Sequence, residues 1–258
     1  MGPSDTTQFR PTDVASTIFD GEDDAPTPST FTSTLSPSLL SDLKRFADEP
    51  GGTELLPVLA ACVRHGTHYV DITGETPWVR GLIDRHHTQA ARDGTRIIPC
   101  AGFDSVPSDL GAWLLVQALR QAGQTCVQAK ASYTVRGGFN GGTLASALNT
   151  FDTGQATALA DPWLLNPAGA RPSSGPDDLD PVAPHRDADF KAWVGPFFMG
   201  PVNTRVVRRS AALLGYGPDF HYQEYLRFGS GAGAALTAAG FSAGMSATQA
   251  ALKFAPVR

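Results

Sequence analysis

The chain is poor in cysteine, carries no excess of basic residues and has no glycine fingerprint for a nucleotide. Its three cysteines, Cys62, Cys100 and Cys126, show no CxxC spacing and an odd count. That excludes a disulfide framework or a cysteine zinc site and predicts free thiols in a reducing compartment, hence a cytoplasmic protein. Basic residues number 20 against 25 acidic ones, giving a net charge of -5. This balance supplies no electrostatic ground for a nucleic-acid partner. Met1 to Asp20 contains no apolar run, so no secretory leader is expected there. No GxGxxG spacing occurs: Gly21 stands among acids and Gly51-Gly52 is not continued. In a dinucleotide fold those glycines let the backbone approach the pyrophosphate at a helix N-terminus. Without them, NADPH is predicted to bind weakly or not at all.

What is present falls into three stretches. Residues 1–50 are rich in Pro, Ser, Thr and Asp up to Ser33, predicting disorder, with a short helix after Ser36. Residues 51–125 alternate helical stripes with short apolar runs. Helices are expected over Glu54–His65, Thr76–Arg92 and Pro107–Gln121, and strands over His68–Ile72 and Arg96–Ala101. Gly66 and Gly94 stand as C-terminal stops. This alternation predicts parallel strands joined by helical crossovers. Residues 126–258 change character. A strand is expected over Val127–Val135, then a glycine-rich turn (Gly137, Gly138, Gly141, Gly142) and a helix to about Phe151. A long loop (168–189), a helix (Val202–Leu214) with Arg205, Arg208 and Arg209 on a solvated face or turned to an acidic lipid or phosphate partner, and a strand (Phe220–Phe228) follow. Gly229 to Leu252 carries no charge, but it is built mostly of small residues. It predicts a packed helix, not a membrane span.

Several separated motifs resemble the saccharopine dehydrogenase-like oxidoreductases of the trans-acting enoyl reductase type. They are HYVDITGE (His68–Glu75), GFDSVPSDLG (Gly102–Gly111), GGTLASAL (Gly141–Leu148) and NTRVVRRSAALLGYGPDFHYQEY (Asn203–Tyr225). The resemblance covers roughly Leu55 to Leu252 and lacks the opening strand and glycine turn, so the chain is expected to be an incomplete form of that fold. It implies an α/β protein: a partial Rossmann-like parallel sheet followed by an α+β substrate or dimerisation domain. It also implies an oxidoreductase linked to NADP, acting on a lipid-like enoyl or acyl substrate in lipid or glycolipid metabolism. A homodimer and peripheral contact with membranes or lipid droplets are further implications. The alternative is a non-catalytic member that keeps the fold and serves as a binding protein.

The candidate site residues lie in three loops. Asp71, Gly74 and Glu75 follow the first strand, where open α/β sheets place ligands, and the resemblance puts them on the nicotinamide side. Equally, Asp71 is suited to cap the next helix, with Glu75 in its first turn. Gly102, Phe103, Asp104 and Ser105 form the second strand-to-helix loop, where free amides suit an anionic or carbonyl group. A plain turn capped by Ser105, with Pro107 at its start, explains the same residues. Gly141, Gly142 and Thr143 resemble a substrate-facing loop, or a hinge. His65, His68, His86 and His87 have no zinc spacing. Tyr133, Tyr222 and Tyr225 are all able to donate a proton, and nothing in the sequence selects one.

Overall fold

The computed structural model describes residues 38, 55–135, 156–170 and 178–251. The expected glycine-rich turn at Gly137–Gly142 and the helix after it lie outside the described residues.

The first alternating stretch folds as anticipated. Helix α1 (Leu55–Arg64) is followed by β1 (Tyr69–Val70), α2 (Thr76–Asp93), β2 (Ile97–Ile98) and α3 (Val106–Gln121). Strands β1 and β2 pair in parallel, Tyr69 with Ile97 and Val70 with Ile98. A helical crossover is the usual link for such a pair, and α2 supplies it. The helix buries Val79, Leu82 and Ala90 along one stripe, and Gly94, at φ 70°, closes it by donating its amide to Ala90. Both strands are shorter than the sequence suggests. Pro99 has no amide to extend the ladder, and Cys100 turns out of it at φ 59°. Pairing continues as single bonds, with the Asp71 amide donating to Ile98 (3.2 Å) and the Ala101 amide to Asp71 (2.8 Å).

The second stretch builds a four-stranded sheet from β3 (Gln128–Tyr133), β4 (His185–Asp187), β5 (Ala192–Pro196) and β6 (His221–Gly229). The strand order is β3-β6-β5-β4, with β3 parallel to β6 and the other two pairs antiparallel. Its helices are the short α4 (Ala156–Leu159), α5 (Gly200–Leu214) and α6 (Ala232–Ala251). Ala112 and Val116 of α3, with Val207 of α5, pack on Ala129, Tyr222, Tyr216 and Phe220. Helix α3 therefore opens in the loop of the first sheet and covers a face of the second. Helix α6 lies along β5 and β6, where Gly195 permits close approach: a Cβ there would stand 3.1 Å from Ser242 Oγ. The result is an α/β fold with a partial Rossmann-like sheet.

Two expectations need correction. The loop expected over 168–189 contains β4, and β5 was not foreseen. The buried residue of β4 is Asp187, a carboxylate held by Lys130 Nζ (2.9 Å) and by the amides of Asp189 and Phe190. A strand with an inward carboxylate does not read as one. The second correction concerns α5, whose supposed solvated face is core: Arg205 and Arg208 are each 1% exposed. Among the described helices, none is long and apolar enough to cross a membrane.

Candidate functional site

The β1–α2 and β2–α3 loops come together at the C-terminal ends of the two parallel strands. Asp71 Oδ1 accepts the amides of Thr73 (3.0 Å) and Cys100 (3.3 Å), so this carboxylate ties one loop to the other. Neither amide belongs to α2; Glu75 takes the N-cap position of that helix without a side-chain cap bond. Gly74 lies against Val202 of α5, and a Cβ at Gly102 would stand 3.2 Å from Ile72 Cβ. Phe103, 91% exposed, and Asp104 reach outward. The Cys100 thiol is buried, and burial with Asp71 beside it pushes its pKa up to about 12, which removes it as a nucleophile.

Ser105 departs from the capping role. It occupies the N-cap position of α3, yet its hydroxyl makes no cap bond and donates instead to Asn203 Oδ1 at 2.8 Å. From there a buried polar network runs to the second sheet. Asn203 Nδ2 donates to Glu224 Oε1 at 2.8 Å. Glu224 Oε2 accepts Ser108 Oγ and Tyr222 Oη, each at 3.0 Å. Ser108 Oγ is also 2.7 Å from Tyr133 Oη. Four elements converge here: Ser105 and Ser108 lie three residues apart on one face of α3, Asn203 comes from α5, Tyr133 from β3, and Tyr222 and Glu224 from β6. The β3–β6 register sets Ala131 beside Glu224, a small residue beside the carboxylate.

The electrostatics follow from burial. Glu224 is 0% exposed, and desolvation, only partly opposed by its three donors, raises its carboxyl to about 7. Burial and then the Glu224 charge push the Tyr222 phenol far up. The Tyr133 phenol is raised by burial as well. It is half-buried and stacks on Phe197, with centroids 4.7 Å apart. The sequence named Tyr133 and Tyr222 as donors without choosing, and passed over Glu224 and Asn203. The signal was a lone acid in a strand, on the face it shares with Tyr222 and Leu226, where a carboxylate seldom lies unpaired.

Other candidates resolve differently. Gly141, Gly142 and Thr143 lie outside the described residues. Arg205 pairs with Asp180 and donates to the Leu159 and Asp161 carbonyls at 2.6 and 3.2 Å. Arg208 donates to Pro162 O and Tyr222 O, both at 3.1 Å, beneath the Trp163 ring. With Arg209 on Leu165 O, these side chains clamp the 159–165 segment rather than an external anion. His68 Nδ1 accepts the Arg96 amide, and His86 borders a largely apolar cleft of about 370 Å³ between α2, α3 and α5. A GxGxxA spacing (Gly229, Gly231, Ala234) opens α6 after β6. However, β6 runs parallel to β3 and antiparallel to β5, and among the described residues α6 leads to no further strand, so the turn opens no β-α-β crossover there.

No family profile and no solved structure matches the chain. It is 44% identical over 188 residues to a Mycobacterium tuberculosis protein provisionally named a trans-acting enoyl reductase, a match covering 68% of this chain and 45% of that protein. A trans-acting enoyl reductase of Mycobacterium leprae is 38% identical over 190 residues, covering 67% and 45%. One of Mycobacterium ulcerans is 35% identical over 201 residues, covering 71% and 47%. The chain thus spans about half the length of the curated relatives it matches.

Proposed function

We propose that the chain serves reduction of an enoyl substrate of lipid-like, acyl character, with NADP as the nicotinamide cofactor. The observation that carries this reading is the 44% identity over 188 residues to a protein named for that activity. The geometry supports it through two loops that meet where α/β sheets receive ligands. The reading assigns the nicotinamide end of the cofactor to these loops, on their place at the strand ends and on the resemblance. Gly74, Glu75, Gly102, Phe103 and Asp104 would border it, while Asp71 braces the loop and Ser105 joins it to the buried network. When bound, the cofactor supplies the hydride. The pyrophosphate end finds no GxGxxG turn in this sequence, which favours a second reading, a binding protein without turnover. In either case residues 51–125 act as the Rossmann-like part and 126–258 as the substrate side, with Gly141, Gly142 and Thr143 assigned to substrate. A homodimer and peripheral membrane contact belong to the same proposal. Arg205 and Arg208 are buried and lend the latter no charge.

The test uses NADPH with crotonyl-CoA as probe. NADPH loss matched by butyryl-CoA formation is expected at saturating nucleotide. No loss above background would sink the reductase reading for this polypeptide and leave the binding protein. Calorimetric titration is expected to show NADPH affinity weaker than micromolar; tighter binding would overturn the weight given to the missing glycines.

A further inference from the structure

We propose that Tyr133 is the proton donor of this site, and that Ser108 and Glu224 form a relay that sets the direction of its hydroxyl and restores its proton. This rests on the reductase reading above. Of the three tyrosines, the geometry selects one. Tyr222 is 2% exposed and its hydroxyl is taken by Glu224. Tyr225 neighbours Glu224 along β6 and so lies on the opposite face, edge-on to His185. Tyr133 is half-buried, at the end of β3, 2.7 Å from the first turn of the helix that opens in the Gly102–Ser105 loop.

Counting protons gives the network two states. Ser108 has one hydroxyl proton. With Glu224 ionised, Ser108 must donate to the carboxylate, and Tyr133 then donates to Ser108; the phenol proton points inward. With Glu224 protonated, the carboxyl donates to Ser108, Ser108 donates to Tyr133, and the phenol proton points away from Ser108, toward Tyr222 Oη or a substrate. Asn203 and Tyr222 remain donors to the carboxyl in both states. The groups bonded to Glu224 are Ser108 of α3, Asn203 of α5 and Tyr222 of β6, with Tyr133 of β3 beyond Ser108 and Asp180 adding a like charge. A carboxyl that titrates at about 7 populates both states near neutrality.

The step balances. Hydride addition to one carbon of the double bond leaves an electron pair on the carbon next to the carbonyl, and the nicotinamide is oxidised. The Tyr133 O–H bond breaks as the new C–H bond forms. The phenolate takes the Ser108 proton, Ser108 takes that of Glu224, and the carboxylate remains, held by three donors. After product leaves, solvent reaches Tyr133 and the chain runs backward to recharge Glu224.

The full chain, with tyrosine labelled with carbon-13 at the hydroxyl-bearing carbon, is titrated by NMR without ligand. Tyr133→Phe identifies the resonance. It should shift with an inflection near 7, long before the phenol ionises, because the direction of its hydrogen bond reverses. Glu224→Gln and Ser108→Ala should abolish that inflection, and Ser108→Thr should restore it. A Tyr133 resonance that does not move, or that keeps its inflection in Glu224→Gln, overturns the relay. With NADPH and crotonyl-CoA, Tyr133→Phe should lower kcat about 100-fold or more with KM little changed; retained turnover overturns the donor role. If the unsubstituted chain shows the titration but no turnover, the reductase reading falls and takes the donor role with it, while the relay stands.

Discussion

The two sheets treat polar and apolar groups in opposite ways. In the first, one face is covered by α1 and α2 through Tyr69 and Ile97, while apolar side chains of the other stay outside: Val70 is 61% exposed, Ile72 78% and Ile98 47%. Asp71, half-buried just beyond β1, gives only its Oδ1 to backbone amides. In the second, apolar residues are buried and polar side chains bond one another across four elements. The first sheet therefore positions loops, and the second holds the groups able to move a proton. Helix α3 joins these roles, since its N-terminus belongs to one and its Ser105–Ser108 face to the other.

The largest test of the contrast is Arg208→Ala. It removes the guanidinium from beneath Trp163 and strands the Pro162 and Tyr222 carbonyls. Unpaired buried acceptors cost roughly 1–3 kcal/mol each, and the lost stem adds packing. A loss of about 3–5 kcal/mol is expected from urea midpoints, with Arg208→Met milder. A loss under about 1 kcal/mol would show that the clamp on 159–165 contributes little to stability.

Glu224→Gln is expected next and carries a pH signature. The folded carboxyl titrates at about 7, above its ordinary 4.5. A raised carboxyl stabilises the fold fully below the unfolded value, and that stability is lost as pH rises through the folded one. The wild type should therefore lose up to about 3 kcal/mol between pH 4.5 and 7, at about 1.4 kcal/mol per unit. Glu224→Gln, of the same shape and uncharged, should flatten that slope when unfolding is measured at pH 5 and pH 8. An unchanged slope would place the ionisation elsewhere.

How far the sequence revealed this differs between the halves. Period and stops marked α1, α2 and α3 and the parallel pairing of β1 with β2, because each side chain there answers to one neighbour, the core or water. The loops were located as well, but not the use of Ser105, whose partner Asn203 lies 98 residues away. Arg205 and Arg208 read as a solvated face because most of their partners are backbone carbonyls, which no residue letter records; Asp180 and Thr204 beside Arg205 are the exceptions. Strand β4 was hidden by Asp187, whose partners are two backbone amides and Lys130, 57 residues away.

A smaller effect is expected where the second sheet holds its edge. Lys130 of β3 reaches Asp187 at 2.9 Å and also contacts Asp189. Burial alone would raise the Asp187 carboxyl; the Phe190 amide and Lys130 outweigh it and hold it below the ordinary 3.8. Stability from such a depressed group is present above 3.8 and is lost as pH falls through the folded value. Lys130→Met should cost about 2 kcal/mol at pH 7, the size of a hydrogen bond to a charged group, and the loss should shrink as pH falls below 3.8, read from thermal unfolding at pH 7 and pH 3. A loss independent of pH would assign the effect to packing alone.

The smallest predicted effect bears most directly on the contrast between the sheets. A branched aliphatic is changed to threonine in each, which at Val194 exchanges a methyl for a hydroxyl and at Ile72 an ethyl. At Val194, 0% exposed in β5, the hydroxyl enters the core with shape nearly conserved, and an unpaired buried hydroxyl costs about 1–3 kcal/mol. At Ile72, 78% exposed beyond β1, the side chain already meets water, and threonine keeps the branching that suits extended backbone. The expected change there is within about 0.5 kcal/mol, as for ordinary surface sites. Chemical denaturation of both variants at two protein concentrations reads the outcome. A loss above about 1 kcal/mol for Ile72→Thr that grows with concentration would mean that a second copy covers this edge. Such a loss without concentration dependence would mean that the chain covers it itself, and the first sheet would no longer differ from the second in leaving its apolar residues outside.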